Sequence, residues 1–138
     1  MKNKAIIAIG TNSNQRDNAE YVREMLSAMF GENIRFSPFL KTKPLDGSKG
    51  YYINALAELY TRMPLARLKM CFKQMETDCG RNQEDTGAGY VPIDIDILQY
   101  GDRRFKTDDW QRDYVQALMK VLNPDAFDAV EHDKSQKA

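Results

Sequence analysis

The run Pro92-Ile93-Asp94-Ile95-Asp96-Ile97-Leu98 sets two carboxylates inside what otherwise reads as a buried strand, although Asp is among the residues strands accept least readily. Alternation sends Ile93, Ile95 and Ile97 to one face and Asp94 and Asp96 to the other, with the two acids roughly 6.6 Å apart along the strand. A fold built around this segment must bury one side of a sheet and leave the other side polar. Two readings of the acidic side stay open. Like charges held this close raise each other's pKa or recruit a cation, and oxygen ligands with open positions suit Mg²⁺ carrying phosphates. Alternatively, the acids sit on one wet sheet face opposite Lys or Arg partners.

The chain has 138 residues, enough for one domain that buries roughly two thirds of the surface its unfolded form exposes. We expect a single domain over 1–138, with about 124–138 a polar, frayed tail. Lys plus Arg equals Asp plus Glu at 20 each, so no global basic field draws nucleic acid or an anionic membrane surface. The apolar stretch Ala5 to Ile9 is too short for a spanning helix or a secretory signal, which predicts a cytoplasmic protein. Cys71 and Cys79 stand eight residues apart on an expected helix, roughly 12 Å along its axis and beyond disulfide reach. His132 is the one histidine and falls in the tail. Ser-His or Cys-His catalysis and His-ligated zinc therefore lack raw material, and carboxylate, Arg and Lys chemistry remains.

Ala5 to Ile9 reads as a central strand bounded by Gly10. Val22, Met25, Leu26 and Met29 recur at helical spacing, with Asp17 or Asn18 placed to cap the start and Gly31 to end it. Ile34 to Lys41 reads as a strand that Pro38 confines to an edge or a bulge, and Thr42 to Gly50 as a loop. Ile53, Ala55, Ala57 and Leu59 alternate with Tyr52, Asn54, Glu58 and Tyr60, a second two-faced strand in which Leu56 is the exception. Pro64 opens a helix carrying Leu65, Leu68, Phe72, Met75 and Cys79, closed by Gly80. Gly80 to Pro92 has no periodicity and reads as a long mobile loop. Gly101-Asp102 turns the chain into a short return strand ending near Lys106, and Asp108 or Asp109 caps a last helix bearing Val115, Leu118 and Leu122 that Asn123-Pro124 stops. The order strand, helix, strand, strand, helix, strand predicts an α+β ferredoxin-like domain: an antiparallel sheet with helices on one face and an open ligand-binding face. Asp94, Asp96, Tyr52 and Asn54 then project together from the open side.

Gly10-Thr11-Asn12 after the first strand, Tyr52-Ile53-Asn54, Glu76 ahead of Gly80-Arg81, and Asp94-Ile95-Asp96 followed by Tyr100-Gly101 occur in the order found in 6-hydroxymethyl-7,8-dihydropterin pyrophosphokinases. The chain resembles that folate-pathway family from about Ile6 to Gly101, more weakly through Leu122. The resemblance implies that ATP donates its β- and γ-phosphates together to a pterin hydroxymethyl group while AMP leaves, with two Mg²⁺ ions held by Asp94 and Asp96. It implies Arg81 as a phosphate-binding and catalytic cation, and Thr42, Leu45, Tyr52, Asn54 and Tyr114 as the pterin-binding set. Glu76, Arg81, Ile97 and Arg112 are implied to line the nucleotide site. Taken alone, Glu76 reads as a solvated helix residue and Arg81 as a helix-end cation.

The chain departs from the family pattern where Val91 and Gln83 replace two Arg, where a loop Trp expected near Ala88 is missing, and where a Pro-His segment that helps bind ATP is absent. Lys41, Lys43, Lys49, Arg103 and Arg104 are candidate substitute charges. Two functions follow from this balance: a pyrophosphoryl transferase with a trimmed nucleotide pocket, or a paralogue that binds pterin or nucleotide without efficient turnover. A single-stranded RNA module on the open sheet is a third reading, and balanced charge with two exposed carboxylates argues against it.

Overall fold

A computed structural model describes residues 2–43 and 50–122. Its elements run β1 (Asn3–Thr11), α1 (Gln15–Phe30), β2 (Ile34–Phe36), β3 (Leu40–Thr42), β4 (Tyr52–Thr61), α2 (Leu65–Asp78), α3 (Gln83–Gly87), β5 (Asp94–Tyr100), β6 (Arg103–Arg104), α4 (Thr107–Trp110) and α5 (Asp113–Leu122). The sheet is antiparallel in the order β2-β4-β1-β5-β6, with β3 also on β4. This is the ferredoxin-like arrangement that the element order predicts.

Alternation builds two cores from one sheet. Ala5, Ile7, Ile9, Ala57, Leu59, Ile95 and Ile97 face α1 and α2, where Val22, Leu26, Leu68, Phe72 and Met75 pack against them. Ile6, Leu56 and Leu98 face the other way and are covered by Val115, Leu118 and Leu122 of α5. The second face is therefore not open throughout, as the sequence reading had it. The apolar stripe of α5 closes its middle, and this accounts for Leu56, the apolar residue that interrupts the polar alternation of β4. Glu58, 4% exposed on the same face, is held by Lys4 at 3.5 Å and Arg35 at 3.1 Å. Arg35 also donates to the Leu122 carbonyl at 2.6 Å, which fastens the end of α5 to the sheet.

Several boundaries differ from the sequence reading. Helix α1 starts at Gln15, ahead of the expected caps; Asp17 lies in its first turn, where a carboxylate favours the helix dipole, and Asn18 Nδ2 donates to the Ser13 carbonyl. Its buried residues are Ala19, Val22, Leu26 and Phe30, whereas Met25 and Met29 lie on the solvent side. Pro38 does break the strand after Ile34: β2 and β3 flank it, and Ser37 bridges the gap through its Oγ and N–H to Leu56. The loop after Gly80 contains one turn of helix, α3, because the Asn82 side chain caps it by accepting the Asp85 N–H at 2.7 Å. The last helix is split in two. Trp110 turns its indole N–H to the carbonyls of Leu98 and Phe105, which ends α4 before α5 begins. The expected stop at Asn123-Pro124 and the frayed tail lie outside the described residues.

Candidate functional site

In cross-strand register, Asp94 lies beside Gly10 of β1, which lies beside Asn54 of β4; Asp96, Ala8 and Leu56 form the adjacent row on the same face. The α5 cluster reaches Leu56 and Ala8. The Asp94, Gly10 and Asn54 row lies past it. A Cβ on residue 10 would stand 2.6 Å from Asn54 Oδ1, so glycine is what allows Asn54 to lie across β1. That leaves a floor of bare backbone between Asn54 and Asp94, two strands or roughly 10 Å apart. Asn54 Nδ2 donates to Thr42 Oγ1 at 2.5 Å, which fixes the amide's orientation. Asn12 fastens the α3 loop to the end of β1 with three bonds: its side chain donates to the Gly89 carbonyl and accepts the Val91 N–H, and its own N–H donates to the Val91 carbonyl.

The acidic pair is built by three elements. Helix α2 ends in a Schellman motif: Gly80 at φ +91° donates to the Thr77 carbonyl and Arg81 to that of Glu76. This turn folds the Arg81 side chain back over Glu76. Its Nη1 lies 2.8 Å from Asp94 Oδ1, 3.3 Å from Glu76 Oε2 and 3.2 Å from the Ile93 carbonyl. Glu76 in turn accepts the Ile95 N–H at 2.9 Å, because β6 reaches only Gln99 and Tyr100 and, among the described residues, no strand pairs with the β5 edge beside it. Burial raises the Glu76 pKa, while the Ile95 N–H and Arg81 oppose the rise. Asp96 Oδ1 lies 3.6 Å from Lys106 Nζ.

Asp94 and Asp96 stand side by side on one face of β5, both opposite β1. Burial, with the neighbouring Asp94 carboxyl, pushes the Asp96 pKa from 3.8 up to about 7, against the pull of Lys106. The acids share one face, and each also has a basic partner. Among the described residues no group of three or more His, Cys, Asp or Glu could hold a metal ion. Two crowded carboxylates do fit Mg²⁺ that keeps water and phosphate oxygens as further ligands, because a divalent cation takes the place of the shared proton.

The shift has a stability consequence. Between 3.8 and about 7 the native state holds a proton that the unfolded chain has released. Asp96 therefore contributes its full stabilisation below about pH 4, and that contribution is lost as the pH rises through about 7. Urea denaturation at about pH 5 and about pH 8 should show wild type losing more stability over that interval than Asp96→Asn; equal losses contradict the assignment.

A cleft of about 440 Å³ runs along β5, bounded by Glu76, Arg81, Asp94 and Asp96. Ile97 lines it from the α2 side, 7% exposed and facing away from the acids. Tyr114, at the first turn of α5, packs against the second core with burial raising its pKa, against the opposing pull of Arg112, which pairs with Asp109 at 2.8 Å. Tyr52 is half-buried on β4, and Leu45 lies outside the described residues. Of the candidate substitute charges, Lys41 lies over the Tyr51 ring, Arg103 over Phe105 and Arg104 over Trp110, while Lys49 is outside the described residues. The cleft's other cations are Lys69, Lys73 and Lys106, which sequence reasoning missed. Lys69, Lys73 and Glu76 follow i, i+4, i+7 spacing on one face of α2, a signal the sequence does carry. Lys106 carries no such mark.

A model of the 7,8-dihydro-6-hydroxymethylpterin-pyrophosphokinase family matches residues 6–126. Two Arabidopsis thaliana proteins are similar to the chain. The folate synthesis bifunctional protein is 26% identical over 136 residues, covering 91% of this chain and 28% of that protein. The mitochondrial folate synthesis bifunctional protein is 30% identical over 139 residues, covering 92% and 24%. The chain thus spans about a quarter of the length of these relatives. Among the described residues no helix is long and apolar enough to cross a membrane.

Proposed function

The chain belongs to the 7,8-dihydro-6-hydroxymethylpterin-pyrophosphokinase family, and on that premise we propose that it transfers pyrophosphate from ATP to 6-hydroxymethyl-7,8-dihydropterin in folate biosynthesis. The observation that carries this reading is the Asp94 and Asp96 pair on one face of β5, beside Arg81 at the mouth of a cleft. In the reaction the pterin hydroxymethyl oxygen forms a bond to the β-phosphorus and loses its proton to solvent. The bond from that phosphorus to the bridging oxygen breaks, and AMP leaves with the electron pair.

Asp94 and Asp96 would hold Mg²⁺, two ions by the family reading, and the metal would supply positive charge against the transferred phosphates. Arg81 donates to phosphate oxygens from a fork that Glu76 and Asp94 keep in place. Asn54, held by Thr42, presents its amide to the pterin edge over the Gly10 floor, and Tyr52 and Tyr114 wall the pterin pocket. Ile97 and Arg112 belong to the nucleotide side. Turnover, rather than binding without it, is favoured by the cleft's three lysines, which keep it cationic where Val91 and Gln83 contribute no charge. We place the protein in the cytoplasm.

The test is incubation with hydroxymethyldihydropterin, ATP and Mg²⁺. AMP should form in step with pterin consumption; no AMP above an Asp94→Ala control contradicts the proposal. Gly10→Ala separates the two subsites. Its Cβ drives Asn54 off Thr42, so the pterin KM should rise about tenfold, one lost hydrogen bond's worth, with the ATP KM within about twofold. Equal changes in both would contradict the placement of Asn54.

A further inference from the structure

Lys106 lies between β6 and α4 at φ 51° and ψ 57°, a left-handed conformation that L-residues other than Asn and Asp seldom adopt. The turn is pinned on both sides. The register shift in β5 that leaves Leu98 as an extra residue frees its carbonyl, which accepts the Phe105 N–H at 2.9 Å and the Trp110 indole N–H at 3.1 Å. The same indole donates to the Phe105 carbonyl at 3.1 Å, and the Asp109 N–H donates to the Lys106 carbonyl at 2.8 Å. Strain held this firmly at a cleft marks a placed side chain. Lys106 is half-exposed, and its 3.6 Å approach to Asp96 is too long for a hydrogen bond. Lys69 Nζ lies over the ring of the adjacent Phe105 at 5.5 Å, and Lys73 stands one turn further along α2. With Arg81, four cations line the cleft against three carboxylates. That is a surplus before any divalent ion neutralises the acids, and it suits a polyanion rather than a closed set of ion pairs.

Resting on the pyrophosphoryl-transfer reading, we infer that Lys106, with Lys69 and Lys73 on the α2 wall, binds the polyphosphate of the nucleotide and so selects a nucleoside triphosphate over a monophosphate. Lys106 compensates Asp96 in the empty cleft. Its flexible stem would let the ammonium leave Asp96 for phosphate oxygens when a cation neutralises the acids.

Calorimetry with a nonhydrolysable ATP analogue plus Mg²⁺, and separately with AMP, tests this on wild type, Lys106→Met, Lys106→Gly and Lys106→Arg. Losing one charge-assisted bond should weaken analogue binding about 10- to 100-fold in the Met and Gly variants, with AMP affinity within about threefold. Lys106→Arg should restore the analogue to within about tenfold of wild type. Glycine takes up the left-handed turn without strain, so a Lys106→Gly protein that folds and still loses the preference separates the charge from the backbone. Unchanged analogue binding in Lys106→Met and Lys106→Gly, or equal losses for both nucleotides, overturns the inference alone. Wild type that binds neither nucleotide overturns the parent reading and this one with it.

Discussion

Asp96→Asn should abolish pyrophosphoryl transfer, lowering kcat/KM by about 10³-fold or more, while leaving the protein folded and no less stable at about pH 8. Asparagine matches aspartate in shape and keeps one acceptor oxygen, but it cannot neutralise a divalent cation. Phosphoryl-type transfer relies chiefly on positioning and on cations that match developing charge, so the loss falls on the chemical step. Stability should move the other way. The Asp96 carboxyl resists ionisation because it is partly buried beside the Asp94 charge, and a neutral amide removes that penalty at neutral pH and above. AMP release and urea denaturation on one preparation check both parts. Activity within tenfold of wild type contradicts the role of Asp96, and lost stability would make it a structural residue instead.

Arg81→Met should cost both activity and stability. The guanidinium is 26% exposed and serves Glu76, Asp94 and the Ile93 carbonyl together. Removing it leaves two carboxylates side by side without their cation, and the Ile93 carbonyl without its side-chain donor. Denaturation should register about 1–3 kcal/mol, held below the figure for a fully buried pair because solvent reaches both partners. The loss of kcat/KM should be about 10²–10³-fold, and Arg81→Lys should recover only part of it, since an ammonium cannot span the same acceptors in a planar fork. An Arg81→Met enzyme of reduced stability but full kcat/KM would confine Arg81 to holding the turn after α2 against β5.

How much of this the sequence carried depends on whether a feature repeats locally. The alternation of Ile93, Ile95 and Ile97 against Asp94 and Asp96 fixes a strand, its faces and the acidic pair at once. The spacing from Leu68 to Met75 fixes α2, and Gly80 marks the left-handed turn that aims Arg81. The covering of the second face was half legible: Leu56 breaks the polar pattern of β4, and Val115, Leu118 and Leu122 form a stripe, but nothing local says that one meets the other. The split between α4 and α5 depends on the Trp110 indole finding the Leu98 carbonyl, a contact freed by the register shift in β5. Lys106 was invisible for the same reason. Its placement comes from a backbone conformation imposed by tertiary hydrogen bonds, and lysine gives no sign of it. The Asn12 clamp lies within the Gly10-Thr11-Asn12 motif, yet its partners at Gly89 and Val91 belong to a segment with no periodicity of its own.

The central claim is that Asp94 and Asp96 grip divalent cations for a triphosphate. Crystals grown with Mn²⁺ and a nonhydrolysable ATP analogue test it most directly through the anomalous signal of the metal. The account predicts metal peaks within ligand distance of both carboxylates, with phosphate oxygens completing the coordination, and no such peaks in Asp96→Asn. Manganese bound elsewhere, or nucleotide seated in the cleft with both acids still tied to Arg81 and Lys106, would contradict it.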